Sequence, residues 1–244
     1  AKRRVGLSPG ICAGIAKRGV LAERIAMVPN GCDLDIFAAG AGEAWRPEGV
    51  DKNALMAIFT GTHGVANGLD AVLNAAAELK AQKRNDIRLV LVGDGKLKPA
   101  LQARAAAEGL DNVVFHDPVD KKSLAGLMAS ADIGMQILAN VPAFYYGTSP
   151  NKFFDYVSAG LPVLNNYPGW LADMITQNEC GYAIPPEDPK AFAQALIHAA
   201  NNREQLHEKG KRARVLGERE FDRAKLSAKW VSWVTGEQED ANDR

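Results

Sequence analysis

LMAIFTGTHGVANGLDAVLNAAAELKAQKRNDIRLVLVGDG, from Leu55 to Gly95, is the stretch that decides the fold. The apolar run Leu55 to Phe59 ends in a glycine-rich turn. Leu69, Val72, Leu73, Ala76 and Leu79 then recur at i, i+3, i+4, i+7 and i+10, the spacing of a helix with one face on a sheet. A second apolar run, Ile87 to Val92, follows. Strand, helix and strand in this order form a βαβ unit, whose crossover makes the two strands parallel.

The pattern repeats outward from that unit. Further strands are expected at Val113 to Phe115, Ile133 to Gln136 and Pro162 to Leu164, with helices carried by Leu97, Leu101 and Ala105 and by Leu124, Leu127 and Met128. The fold class is therefore α/β, a Rossmann-like parallel sheet flanked by helices. Upstream lies a shorter block with a strand near Val5 to Ser8, a helix over Ile11 to Arg18 and a strand at Ile25 to Val28. Residues Pro29 to Lys52 hold Asn30-Gly31, Gly40, Gly42, Pro47 and Gly49 without an apolar period, and read as a linker. After Pro189 the chain is almost wholly helical. It ends with Leu226, Trp230, Trp233 and Val234 on one helical stripe and a polar tail, Glu237 to Arg244.

The 244 residues carry 29 Lys+Arg against 29 Asp+Glu, which excludes the global basic field of a dedicated nucleic-acid binder. Cys12, Cys32 and Cys180 have no C-x-x-C spacing, so neither a disulfide framework nor a structural zinc site is expected, and a reducing cytoplasm fits best. No apolar run reaches a membrane span, and the start AKRRVGLSPG lacks the apolar core of a signal peptide. The missing Met leaves open that Ala1 lies inside a longer chain.

In a doubly wound sheet ligands bind beyond the carboxyl ends of the strands. The first strand ends in Gly61-Thr62-His63-Gly64, and the next helix starts near Asn67-Gly68; the second strand ends in Gly93-Asp94-Gly95. Glycines there let backbone N–H groups approach an anion. Neither turn completes G-x-G-x-x-G, and no G-x-x-x-x-G-K-[ST] occurs, which disfavours a P-loop NTPase. The most informative segment is GTSPNKFFDYVSAGLPVL, Gly147 to Leu164. Here Ser149 offers a capping hydroxyl, Pro150 suits the first helical position, and Asn151 and Lys152 open the helix. A lysine there opposes the helix dipole unless an anion is bound, which points to a phosphate site. Asp155 lies one turn on, placed to accept sugar hydroxyl protons. His63 and His116 stand at strand ends, whereas His198 and His207 fall in late helices and are expected to face solvent. No self-sufficient catalytic constellation stands out.

At this point the chain resembles the retaining GT-B glycosyltransferases of family 4 (glycosyl transferases group 1). SPGICAGIAKRGVLAERIAMVPNGCDLDIF resembles the family's last N-domain strand–helix–strand and crossover. GTHGVANGLD, LVGDGKLKPAL, NVVFHDPVDKKSLAGLMASADIGM and SPNKFFDYVSAGLPVL resemble its nucleotide-binding C-domain in order. The form of the SPNK and GTHG-x-ANGLD motifs is similar to the subgroup that builds O-antigen and capsule precursors. The resemblance divides the chain into an N-lobe remnant (1–38), an interdomain linker (39–52), a nucleotide-sugar-binding domain (53–220) and a C-terminal helix with tail (221–244).

The resemblance implies a UDP-sugar donor with its diphosphate at the helix of Pro150, enclosed by Thr148 to Lys152 and Gly61 to Gly64. It places Asp155 on the ribose, as the second Glu of the family's E-x7-E motif, and the base against the loop His116, Asp117 to Val119. Fixed dipoles and a lysine would stabilise the departing diphosphate, with no cofactor and no obligatory metal expected. Three positions depart from the pattern. The first Glu of E-x7-E falls at Gly147, the second is shortened to Asp155, and the usual Arg and Lys of the first loop fall at Thr62 and Asn67, leaving Lys152 as a candidate replacement. The catalytic residue is expected in an N-lobe of which only the end is present, so the chain is expected to bind donor without turnover.

The implied acceptor is a polyprenyl-linked or other glycan, and the donor sugar a hexose, N-acetylated by the subgroup resemblance. A cytoplasmic location follows, with peripheral contact to anionic membrane as one role for the basic last helix. The alternative role, packing back across the N-lobe, is favoured. Rival readings are a UDP-sugar epimerase of the same architecture and a non-catalytic nucleotide-binding module. The segment Ile137 to Tyr146 is expected to be a loop that bears on sugar choice.

Overall fold

The computed structural model describes residues 3–38 and 43–236. Part of the expected linker, 39–42, and the polar tail, 237–244, lie outside the described residues. The upstream block forms a small parallel pair, β1 (Arg4–Gly6) and β2 (Ile25–Met27), joined through α1 (Pro9–Ala16). Ser8 caps α1 by accepting from the Ile11 N–H at 3.3 Å.

The main sheet has six parallel strands in the order β5-β4-β3-β6-β7-β8. Their spans are β3 (Leu55–Thr60), β4 (Ile87–Val92), β5 (Val113–His116), β6 (Ile133–Gln136), β7 (Val163–Asn165) and β8 (Gly181–Ala183). Every residue of β3 is buried, as an apolar run covered by helices on both faces must be. Ile58, Val90, Phe153 and Tyr156 fill the core on one face; Phe59, Leu73, Leu89 and Phe192 fill it on the other. The chain runs from β3 to β4 and β5, then returns to the opposite side of β3 at β6. The crevice at the carboxyl end of β3 is the switch point where such sheets hold ligands.

The crossover helices are α2 (Asp70–Ala81), α3 (Lys98–Glu108), α4 (Lys121–Ser130), α6 (Asn151–Ser158) and α7 (Trp170–Gln177). Two features differ from the sequence expectation. The segment Ile137 to Tyr146 is only partly a loop, because Pro142 starts a short helix, α5 (Pro142–Gly147). Strand β8 lacks a long apolar run, and is made a strand by pairing with β7.

Helix α6 is seated unusually close to the sheet. A Cβ on Gly134 of β6 would lie 2.4 Å from the Tyr156 ring, so glycine is required for that approach. The Tyr156 hydroxyl in turn accepts from the Thr60 N–H at 3.0 Å, which registers α6 against the end of β3.

Residues 43–54 are irregular but fixed. Trp45 Nε1 donates to Ser123 O at 2.8 Å, and Arg46 donates to Ala54 O at 2.9 Å while pairing with Asp132 at 3.3 Å. Helices α8 (Pro189–Asn201), α9 (Arg203–Glu220) and α10 (Arg223–Thr235) complete the chain. Cys32 N–H donates to Phe221 O, and Arg223 N–H to Cys32 O, so the segment leaving β2 runs beside the one entering α10. The expected stripe on α10 divides. Leu226 is buried and Trp233 Nε1 donates to Arg4 O at 3.0 Å, tying the helix to β1, whereas Trp230 and Val234 are 48% and 51% exposed.

Candidate nucleotide-binding site

Three loops and one helix start meet at the carboxyl end of β3. The loop after β3 lies on the loop after β4: Gly61 N–H donates to Val92 O at 2.9 Å and His63 N–H to Asp94 O at 2.8 Å. Gly93 has φ +145°, and a Cβ there would lie 1.9 Å from Gly61 O. The glycine of the second turn is thus demanded by loop-on-loop contact. At Gly61 the missing Cβ faces Lys152 Cε at 3.3 Å. Gly61, Thr62, Gly93, Asp94, Pro118 and Val119 help line a cleft of about 330 Å³.

His116 ends β5, two residues before Pro118 of this cleft, with its ring centroid 5.2 Å from that of Trp45 and its Nδ1 2.7 Å from Asp117 O. Behind it stands Lys98, only 7% exposed, whose ammonium donates to Gly93 O at 2.8 Å, His116 O at 3.3 Å and Asp117 Oδ1 at 2.6 Å. One cation thereby joins the loops after β4 and β5, and its hydrogen bond holds the exposed Asp117 carboxyl below the usual range. His63 is placed differently from a ligand contact. Its side chain is fully buried near Phe59 and Phe115, with no partner for either ring nitrogen among the described residues. Burial pushes its pKa down, and only its main chain serves the loop.

The start of α6 corrects the expected capping. Pro150 is the N-cap rather than the first helical residue, and no side chain among the described residues caps the helix. Ser149 Oγ instead accepts from the Asn30 N–H at 3.2 Å, a tertiary partner that outcompetes the local one. Thr148 Oγ1 donates back to Phe144 O at 2.9 Å. The first N–H groups of α6 are left without side-chain partners, the condition in which a helix terminus receives an anion.

Lys152 is not a freely solvated lysine. Its Nζ donates to Asn67 Oδ1 at 3.1 Å and lies 5.0 Å from the Phe59 ring centroid. Burial lowers its pKa to about 8. Thus Gly61, Asn67 and Lys152, separated in sequence, stand together. Asp155, one turn on, is raised to about 6 by burial, with Lys121 and Arg223 opposing the shift and Asp33 adding to it. Asp33 is ion-paired with both Lys121 and Arg223, pinning the segment after β2 to α4 and α10. Sequence reading missed Lys98, Lys121, Asp33 and Arg223, since no local spacing links residues so far apart. His198 and His207 are exposed, as expected.

The sheet order, with a cleft over the carboxyl end of β3, defines the class: an α/β domain with a Rossmann-like parallel sheet. Residues 54–202 match the family model of Glycosyl transferases group 1, and the chain belongs to that family. It is similar to the D-inositol 3-phosphate glycosyltransferase of Xylanimonas cellulosilytica, 29% identical over 191 residues that cover 71% of this chain and 42% of the relative. It is also similar to the D-rhamnosyltransferase WbpZ of Pseudomonas aeruginosa, 27% identical over 195 residues covering 78% of this chain and 48% of that one. Among solved structures, HepE of Anabaena in complex with UDP superimposes with a TM-score of 0.78 at 15% identity, over 97% of this chain and 64% of HepE. The chain spans less than half the length of these two curated relatives.

Proposed function

We propose that the chain binds a UDP-sugar and supplies the donor half of a retaining glycosyltransferase of O-antigen or capsule assembly. The reaction would move a hexose, N-acetylated in our reading, to a polyprenyl-linked or other glycan. The observation that carries this reading is the joining of Lys152, Asn67 and Gly61 at the uncapped start of α6. A diphosphate seated there would meet free N–H groups, the positive end of the helix dipole and one ammonium, which together offset charge developing on the leaving UDP without requiring a metal. The base would lie in the cleft between Thr62 and Val119, and Asp155 would accept from the ribose hydroxyls. The UDP held by HepE supports the choice of nucleotide.

The remaining roles in the reading follow from the same placement. Acceptor binding and the catalytic group are assigned to the longer protein, and this chain alone binds without transferring. A cytoplasmic location, with the exposed side of α10 resting on anionic membrane, suits a lipid-linked acceptor. Calorimetric titration with UDP, GDP and ADP tests the nucleotide assignment. Selective UDP binding that is lost in Lys152→Ala and Asp155→Ala supports it; absence of nucleotide binding overturns it.

A further inference from the structure

A second cavity, of about 280 Å³, opens at the same carboxyl edge of the main sheet. It sits among Gly68 and Ala71 at the start of α2, Asn140 before α5, Asn166 after β7 and the segment Ile184 to Pro189 between β8 and α8. Its floor residue Phe192 belongs to the core with Phe59 and Leu73. Lys152 instead rides on α6, whose Phe153 and Phe154 fill the opposite core. The two sites thus lie along one sheet edge and have no lining residue in common.

The lining states what the cavity accepts. Among the described residues, those of its lining that ionise are all acidic (Asp70, Glu187 and Asp188), so phosphates and carboxylates are repelled. Two of these are committed elsewhere: Asp70 pairs with Arg104 at 2.7 Å, and Asp188 caps α8 by accepting from the Ala191 N–H at 2.8 Å. Glu187 has no hydrogen-bond or ion-pair partner among the described residues and is free to accept. Asn74 and Asn140 have their Oδ1 atoms occupied by Arg104 and Tyr145, which leaves their amide N–H groups to donate. Leu138, Ile184 and the rings of Pro185, Pro186 and Pro189 supply apolar walls. Apolar walls with convergent amide donors and one free carboxylate match a ring that has C–H faces and an equatorial fringe of hydroxyls.

We propose that this cavity binds a neutral hexopyranose unit, at a subsite separate from the nucleotide cleft. Its volume, at the lower end of the roughly 300–1,000 Å³ range of ligand pockets, limits it to about one sugar ring. Occupancy bears on the nucleotide cleft through a shared wall. Ala139 N–H donates to Ala66 O at 3.0 Å, a Cβ on Gly68 would lie 2.7 Å from Ala139 Cα, and the intervening Asn67 is the residue that accepts from Lys152.

Two-dimensional amide NMR of the whole chain tests the subsite without relying on nucleotide binding. The probes are N-acetylglucosamine and glucose, with glucuronate as the anionic control and spermidine as the cationic one. The proposal expects saturable shifts of the Ala71, Ala139, Ile184 and Glu187 amides with the neutral sugars and none with glucuronate. Glu187→Gln should weaken that response several-fold, and Ala71→Trp, which fills the cavity, should abolish it while leaving the rest of the spectrum folded. Shifts confined to Gly61–Gly64 and Lys152 would place the sugar in the nucleotide cleft and overturn the subsite. A response to spermidine alone, or none to either sugar at saturating concentrations, would overturn it too.

Discussion

Lys152 Nζ donates to Asn67 Oδ1 across 3.1 Å, between the first turn of one helix and the loop that precedes another. The bond aims a poorly hydrated cation at the glycine loop, whose Gly61 lacks a Cβ that would lie 3.3 Å from Lys152 Cε. Burial holds that cation at a pKa of about 8, so its charge is conditional. UDP affinity should fall as the pH rises through 8, by about tenfold, which is roughly 1.4 kcal/mol. In Lys152→Arg, whose charge does not titrate in this range, the fall should disappear. Calorimetry from pH 6.5 to 9.5 reads both outcomes; an unchanged wild-type affinity across that span removes Lys152 from the phosphate site.

Asp155 gives the opposite arm. Its carboxyl is raised by burial to about 6 in the folded chain against 3.8 for the free group. An acid with a raised folded pKa leaves the native state unpenalised below the unfolded value, and stability is lost as pH climbs from 3.8 to about 6. Asp155→Asn should therefore raise the melting temperature of the nucleotide-free protein at pH 7.5, with the gain vanishing toward about pH 4. The same variant should weaken UDP, because the ribose loses its ionised acceptor. Thermal melts at the two pH values, paired with titration at the higher one, would contradict the assignment if stability and affinity moved together.

Gly93→Ala should be among the most damaging single-atom changes in the chain. The added Cβ would lie 1.9 Å from Gly61 O, on a residue with φ +145°, so both sterics and backbone conformation oppose it. A loss of about 2 kcal/mol or more is expected in urea denaturation, with UDP binding reduced in whatever remains folded. Gly147→Ala, with no neighbouring atom within 4 Å of its new Cβ, is the matched control and should stay within about 0.5 kcal/mol of the parent. Equal losses in the two variants would mean that loop-on-loop contact is not what fixes the cleft.

Trp230 and Val231 stand 48% and 46% exposed on α10, with Lys225 and Lys229 on the same helix. Sedimentation with vesicles containing anionic phospholipid should retain the protein at low salt and release it at high salt. Trp230→Ser should lower the retained fraction several-fold without altering the melting temperature, since that side chain does not contribute to the buried core. Equal retention by neutral vesicles would count against the charge-assisted contact.

What the sequence made legible was whatever depends on neighbours along the chain. Ile87–Val92 and Ile133–Gln136 are strands at the expected residues because an apolar run between turn residues has few other uses. Ser149 departs from its local signal for the same reason: a residue 119 positions away, Asn30, takes the hydroxyl that the local capping rule assigns to the helix. Lys98 looked like any lysine in a polar helix start, and only the fold shows three acceptors converging on it. His63 stands in a glycine turn, where a histidine suggests a ligand contact, but its ring is turned inward beside Phe59 and Phe115. The members of the site were thus largely readable as residue types in loops, whereas their partners required the tertiary structure.

The paired passage of Cys32 beside Phe221 has a mechanical consequence. Two main-chain hydrogen bonds make the junction between the β1–β2 unit and the main sheet two strands wide, so the chain crosses there twice rather than once. Asn30, two residues before Cys32, is the residue that grips Ser149 next to the start of α6. A hydrogen-bonded path thus runs from the start of α6 through Ser149 and Asn30 to the Cys32–Phe221 junction, holding the small unit and the helix start to one another.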